Sequence, residues 1–470
     1  RLIEDAQHTE WGVTHAYNTI YSYADFKQRF PIQDYDSLKP FIERIMKGES
    51  NVLWHGETTW FAKSSGTSND KSKFIPVSFE TLEECHFQGG RDILSFYCAN
   101  VPDSDVFDGK GLLIGGSHKI NSLNENSYYG DLSAVLMNNM PTWANLMKTP
   151  DKSIALMDDW ELKLDKMAEQ VINENVTSIS GVPTWTMVLL EKIMAMTGKK
   201  DISEVWPNLQ LYIHGGVSFT PYREPFKQLI SGSKMRYLET YNASEGFFAA
   251  QDNVKEEGML LFLEHGIFYE FMPIEEYGKE QPLTVGLNKV VVGKNYAIVI
   301  STNGGLWRYL VGDTIQFTNI APYRIKVSGR LKQFINAFGE ELIADNSDKA
   351  MSEACASFGV AIREYTAAPI YMSDNTSGAH EWLIEFENEP TDLHAFTIAL
   401  DNNLKAANSD YEAKRHKDIA LGLPQITSVK KGCFHTWLKQ RGKLGGQHKV
   451  PRLSNERHFI EEIKKVNQTL

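Results

Sequence analysis

Cysteine is scarce in this 470-residue chain. Its four copies, Cys85, Cys98, Cys355 and Cys433, stand far apart and form no C-x-x-C pair. That spacing excludes a disulfide framework and a cysteine-built zinc site, and it leads us to expect reduced thiols in a cytoplasmic protein. Also missing is any apolar run approaching the ~20 residues needed to cross a bilayer, and the opening Arg1-Leu2-Ile3-Glu4-Asp5 carries no signal-peptide pattern. Positive charge is not in excess. The formal net charge of −12 argues against a nucleic-acid surface, because phosphate backbones demand concentrated lysine and arginine. No G-x-x-x-x-G-K-[ST] occurs, which rules out a Walker-type nucleotide loop. With 42% hydrophobic and 23% charged residues, what is present is an ordinary globular composition, on a chain long enough for a large domain and a smaller one.

Against that background one stretch stands out, Ser64-Ser65-Gly66-Thr67-Ser68-Asn69-Asp70-Lys71-Ser72-Lys73. Gly66 lets the backbone turn without a Cβ penalty, consecutive amides can converge on an anion, and rotating hydroxyls add donors. Lys71 and Lys73 add charge, so the stretch reads as a loop that grips phosphate. Taken alone, such a run is more often a solvated Ser/Asn turn between two strands, and only the motifs downstream favour the phosphate reading.

Residues 1–60 carry Phe26, Phe30, Tyr35, Phe41 and Ile45 at helical spacing and form a lead-in without chemistry. Residues 79–100 predict a helix that offers Phe79, Leu82, Phe87, Ile93 and Phe96 to the core, interrupted at Gly89-Gly90, with Arg91 its only lysine or arginine. Further on, strand patterns at Gly111–Gly116, Thr177–Ser180, Leu209–Ile213 and Met235–Tyr241 alternate with helical ones from Asp158 and from Pro183. Such alternation predicts an α/β fold with a mostly parallel sheet and ligands at strand ends. Gly258–Pro273 and Leu287–Thr302 add antiparallel strands. After Gly329-Arg330 the composition changes to a smaller α+β unit, with strands near Glu364–Met372 and Glu381–Phe386 and a helix from Asp392. We therefore expect a large domain over 1–328 and a small mobile C-terminal domain over 329–470.

Three more motifs follow the loop. Tyr241-Asn242-Ala243-Ser244-Glu245-Gly246 puts an aromatic, a hydroxyl and a carboxylate on a glycine-bounded turn, able to stack a base, hold a phosphate oxygen and ligate Mg²⁺, although taken alone such a run is more often a surface turn. Tyr309-Leu310-Val311-Gly312-Asp313 ends a strand region with an Asp that can accept two hydrogen bonds from a ribose diol. Arg330, at the junction, reads either as a ligand contact or as an interdomain ion pair. Between Lys430 and Arg457, cations including Lys439, Arg441, Lys443, Lys449 and Arg452 are spread among glycines and aromatics with little acid nearby, as a solvated face or a reach into a nucleotide site.

A Ser/Thr/Gly loop, then Tyr-x-x-Ser-Glu, Gly-Asp and Gly-Arg, is the order seen in adenylate-forming enzymes. More narrowly, SSGTS with its lysines and FIPVS, YNASEG, YLVGD and Lys449-Val450-Pro451-Arg452 resemble the Gretchen Hagen family of acyl acid amido synthetases, in particular its bacterial members, over nearly the whole chain. The resemblance implies that Ser64, Ser65, Gly66, Thr67 and Ser68 hold ATP phosphates, Tyr241 lies against adenine, Ser244 bonds the α-phosphate and Glu245 ligates Mg²⁺. It implies further that Asp313 holds the ribose, Arg330 assists, and Lys449 is the lysine brought to the α-phosphate, with Lys332 and Lys443 as rivals. For the acid it points, weakly, to Arg91, Val182 and Trp185. This sequence departs from the family at Asp70 inside the loop and at Leu310 in place of an arginine.

The implied reaction adenylates a carboxylic acid with ATP and passes the acyl group to an amine of the amino-acid class. Two other readings stay open at this point. An acyl-CoA ligase would share every adenylating residue, and a silent nucleotide-binding protein would keep the site without the chemistry.

Overall fold

The computed structural model describes residues 1–64, 73–115, 120–157, 159–216, 219, 223–256, 258–331, 334–340, 342–372, 378–418, 420–441 and 450–470. The chain forms two compact units. Arg1–Ser64, Ser72–Gly216 and Lys227–Leu331 make up one, and Lys332–Leu470 is the body of the other. Among the described residues no helix is long and apolar enough to cross a membrane.

In the first unit the lead-in is helical, as its periodicity predicts: Leu2–Ala6, Glu10–Thr14, Tyr23–Arg29 and Tyr35–Met46. Ser22 and Asp34 begin the last two, each accepting a backbone N–H of the first turn that would otherwise be orphaned. The buried Arg308 guanidinium fastens this lead-in to the sheet behind it. It donates to Glu270 at 2.8 and 3.0 Å and to the carbonyl of Phe30 at 2.8 Å.

That sheet has, among the described residues, eleven strands with a parallel and an antiparallel half. Lys148–Thr149, Lys110–Leu113, Val176–Ser180, Leu211–Gly215 and Arg236–Ala243 lie side by side in parallel. Helical crossovers make this possible, including Trp160–Val171, capped by Asp159, and Pro183–Thr197, which opens on proline and closes on Gly198 at φ 68°. From Arg236–Ala243 onward the neighbours are antiparallel: Gly246–Ala250, Met259–Leu261, Tyr323–Arg330, Tyr309–Ile320, Asn295–Thr302 and Ile267–Pro273. Every residue of Gly246–Ala250 is buried, so this strand, where the parallel half meets the antiparallel half, lies at the centre of the core.

The helix expected at 79–100 is present, with two differences. Phe79 is 73% exposed rather than in the core. Ser78 accepts the amide of Thr81 at 3.0 Å and donates to the carbonyl of Asn303 at 2.7 Å, and this start turns Phe79 outward. The glycine pair does not interrupt the helix either. A π-helical turn, Thr81–Phe87, runs directly into an α-helix, Gln88–Asn100. Gly89 is needed where a Cβ would stand 2.3 Å from the ring of Phe247.

Among the described residues the second unit carries a three-stranded sheet, Ile362–Ile370, Ala379–Phe386 and Gln425–Ser428, and a short pair, Phe334–Ile335 with Leu342–Ile343. The sheet is packed with the helices Ala344–Phe358, Leu393–Ala407, Cys433–Gln440 and His458–Thr469. Its central strand is buried at every position, and the carboxylates on it are met: Glu385 by the amides of Gly432 and Phe434, Glu381 by Arg457 and Lys464. The basic stretch of the C-terminus finds its acids here too. Arg441 donates to Glu462 at 2.7 Å and lies over the rings of Trp437 and Phe459, and Arg452 pairs with Glu364.

Candidate functional site

The two ends of the Ser/Thr/Gly stretch are strands. Trp60–Ser64 and Lys73–Val77 pair antiparallel with Ser64 opposite Lys73. Ser65, Gly66, Thr67 and Ser68 lie outside the described residues. Lys73 ties this strand pair to the strand that carries Asp313. Its ammonium donates to the Tyr309 hydroxyl at 3.3 Å and lies 5.9 Å and 5.8 Å over the rings of Tyr35 and Tyr309.

Tyr241 to Gly246 folds as the tip of a tight hairpin. Arg236–Ala243 and Gly246–Ala250 are joined by Ser244 and Glu245 alone, with Ala243 opposite Gly246 and Asn242 opposite Phe247. Two strands with a two-residue connection fix the direction of both turn side chains. A Cβ on Gly246 would lie 2.6 Å from the Ile267 Cδ1 methyl, which would have to move aside. Glu245 is 8% exposed.

Asp313 is not at a strand end, as its sequence context predicts, but inside the long strand Tyr309–Ile320. Leu310 pairs with Val299 and Thr314 with Ala297, so Val311, Gly312 and Asp313 bulge opposite the single residue Ile298. Gly312 takes up the bulge at φ 97°, which lets the strand continue where turn chemistry alone would end it. The Tyr241 hydroxyl donates to Asp313 Oδ2 at 2.6 Å, with both residues buried, and Asp313 faces Arg330 across the ladder. Three motifs far apart in sequence thus converge: Tyr241 with Ser244 and Glu245, Asp313, and the backbone of Arg330.

The remaining candidates lie elsewhere. Arg91 is exposed and turned back on its own helix, donating to Gln88 Oε1 at 2.9 Å and to the carbonyl of Glu83 at 3.2 Å. Val182 is the residue before the helix Pro183–Thr197, and Trp185 is buried in that helix. Lys449, Lys332 and Lys443 lie outside the described residues.

The sequence reading missed His86, Cys85 and Asn242. His86 is buried, its Nδ1 stands 3.1 Å from Oδ1 of the half-buried Asn242, and burial pushes the imidazole down to about 4. The unfolded chain, with an ordinary value of 6.5, therefore binds a proton that the folded one refuses. Stability contributed at neutral pH is lost as pH falls from that value towards about 4 and levels off below it. The gap corresponds to at most roughly 3 kcal/mol. Chemical denaturation at pH 7.5 and 4 is expected to show wild type losing more stability than His86→Leu by up to that amount. Equal losses in the two proteins would contradict the buried neutral state.

Residues 1–235 match the GH3 family N-terminal domain, 260–330 its central domain and 345–458 its C-terminal domain. The chain belongs to the GH3 family. Among GH3 relatives, an indole-3-acetic acid-amido synthetase of Arabidopsis thaliana is 25% identical over 91% of this chain and 83% of its own length. A jasmonoyl-L-amino acid synthetase of Nicotiana attenuata is 25% identical over 96% and 89%. Of solved structures, an acyl acid amido synthetase, AtGH3.15, in complex with 2,4-DB aligns with TM-score 0.60 at 16% identity, covering 99% of this chain and 91% of that one. A 2-hydroxyisobutyryl-CoA ligase aligns with TM-score 0.57 at 12% identity over 100% and 87%. These likenesses place the GH3 chain on the fold of adenylate-forming enzymes, in a family of ligases that implies use of ATP.

Glu245, a buried carboxylate on the turn, has the chemistry that a magnesium ligand would need. Among the described residues no group of three or more His, Cys, Asp or Glu could form a protein-built metal cage. Mg²⁺ needs none, because it is held by one or two carboxylates together with substrate phosphates.

Proposed function

We propose that this chain is a cytoplasmic, ATP-dependent acyl acid amido synthetase that adenylates a small carboxylic acid and transfers the acyl group to an amine of the amino-acid class. The observation that carries the reading is the hydrogen bond from Tyr241 to Asp313 beside the Ser244–Glu245 turn, in a chain matched by all three GH3 domains in order. In this reading 1–328 binds ATP and acid, and 329–470 is the smaller domain that closes on them.

A carboxylate resists attack by an amine because its leaving group would be an oxide, and joining it to AMP supplies a good leaving group instead. Ser64, Ser65, Thr67, Ser68 and the backbone at Gly66 grip the phosphates, and Ser244 bonds the α-phosphate. Tyr241 flanks the adenine and orients Asp313, a carboxylate able to accept hydrogen bonds from the ribose hydroxyls. Arg330 assists from the strand opposite Asp313. Glu245 is the ligand for Mg²⁺, which supplies charge neutralisation on the phosphates when bound. Lys449 completes the α-phosphate site, and closure excludes water from the activated acid. The acid itself is met near Val182 and Trp185, with Arg91 the weakest of these assignments.

Asp313→Ala is expected to weaken ATP binding by ~1.5–3 kcal/mol, the scale of a hydrogen bond to a charged group. Calorimetry with ATP alone reads this directly, and unchanged affinity would remove Asp313 from the site. The acceptor is tested by supplying ATP and an activating acid, then comparing AMP release with amino acids and with coenzyme A. Release stimulated by an amino acid supports the amido synthetase; stimulation by coenzyme A alone would make the chain an acyl-CoA ligase.

A further inference from the structure

Two consecutive residues of the π-helical turn Thr81–Phe87 hold opposite strands of the Ser244–Glu245 hairpin at the same cross-strand pair. Phe247 N–H donates to Cys85 Sγ at 3.1 Å, and His86 Nδ1 stands 3.1 Å from Asn242 Oδ1, while Asn242 and Phe247 face one another across the ladder. An amide oxygen only accepts, so His86 carries its proton on Nδ1 and donates. Asn242 is two residues before Ser244, and Phe247 two residues after Glu245. The close approach is built in on the helix side, where a Cβ on Gly89 would meet the Phe247 ring at 2.3 Å.

We propose that the turn Thr81–Phe87 is a clamp that fixes the hairpin tip, with His86 and Cys85 as positioning residues for Glu245 and Ser244. This rests on the reading above, in which those two side chains meet Mg²⁺ and the α-phosphate. A two-residue turn left to itself rocks about its last ladder pair, and an octahedral ion tolerates little error in the position of its ligands. Gripping both strands at Asn242 and Phe247, the second pair from the tip, limits that freedom. The wider π turn is the device that makes it possible, a single-turn irregularity of a kind often found at functional sites. Burial keeps the grip constant across the working pH range. The imidazole stays neutral above its depressed value, and the Cys85 thiol, pushed up to about 12, stays protonated.

His86→Leu keeps the volume and removes the donor, and His86→Asn restores an N–H near the Nδ1 position. The helix has other anchors, the pairing of Asp92 with His265 at 2.8 Å and the cap at Ser78, so the leucine variant is expected to fold. In hydrogen exchange of the free protein, amides of the 240–250 peptide should exchange about tenfold faster in His86→Leu and return towards wild type in His86→Asn, the scale of one lost hydrogen bond. Unchanged exchange would overturn the clamp whatever the enzyme does. In pyrophosphate exchange, the Mg²⁺ concentration for half-maximal rate should rise about tenfold in His86→Leu with the KM for acid unchanged, and His86→Asn should restore it. Faster amide exchange with an unchanged Mg²⁺ requirement would reduce His86 to a structural residue and overturn the positioning role. A wild-type protein without pyrophosphate exchange on any acid, but with the hydrogen-exchange effect, would instead overturn the functional reading and leave the clamp as a purely mechanical one.

Discussion

Glu245→Ala is expected to abolish Mg²⁺-dependent exchange of pyrophosphate into ATP, with a loss of at least ~10³, because the charge stabilisation given by a bound metal amounts to several kcal/mol. The residue occupies half of a two-residue turn and is almost wholly buried, so no neighbouring side chain on the turn can take over its carboxylate. The fold should survive. The pairs Ala243–Gly246 and Asn242–Phe247 are backbone pairs that do not use the Glu245 side chain, and circular dichroism and thermal unfolding are the controls. Exchange within a few-fold of wild type would show that the metal is held elsewhere.

The second large effect concerns Lys449. It lies in the basic, glycine-rich sequence Gly442-Lys443-Leu444-Gly445-Gly446-Gln447-His448-Lys449. A lysine that serves the adenylation transition state should, when replaced by alanine, slow acyl-adenylate formation by ~10²–10³, the loss that follows removal of one preorganised donor. The reaction of supplied acyl-adenylate with amine should change far less, because no pyrophosphate departs in that step. Measuring both half-reactions decides the matter. Equal loss in the two, or none in the first, would move the role to Lys332 or Lys443.

Much of the fold is legible in the sequence because periodicity reports burial. The helices of the lead-in, the parallel strands Val176–Ser180 and Leu211–Gly215, and the helix capped by Asp392 follow from it directly. The site is legible to the extent that its chemistry is compressed into short motifs, so Tyr241, Ser244, Glu245 and Asp313 can be named before their convergence is seen. Where the reading misses, long-range contacts decide. Gly312-Asp313 has the composition of a turn, yet pairing on both sides carries the strand through it as a bulge. Gly89-Gly90 has the composition of a break, yet the ring of Phe247 makes one of those glycines a packing requirement. Phe79 belongs by hydrophobicity to the core, but the Ser78 cap commits it to solvent. His86 and Cys85 give no local signal, since their partners Asn242 and Phe247 are 156 and 162 residues away.

The central claim is that this chain activates a carboxylic acid with ATP. Exchange of labelled pyrophosphate into ATP, measured with wild-type protein over a panel of aromatic, indolic and aliphatic carboxylic acids with Mg²⁺ present, tests it most directly. The account predicts exchange that depends on the acid, with one chemical class preferred, and that disappears in Glu245→Ala. Exchange with no acid on the panel while ATP still binds would contradict it, leaving a nucleotide-binding protein that does not adenylate.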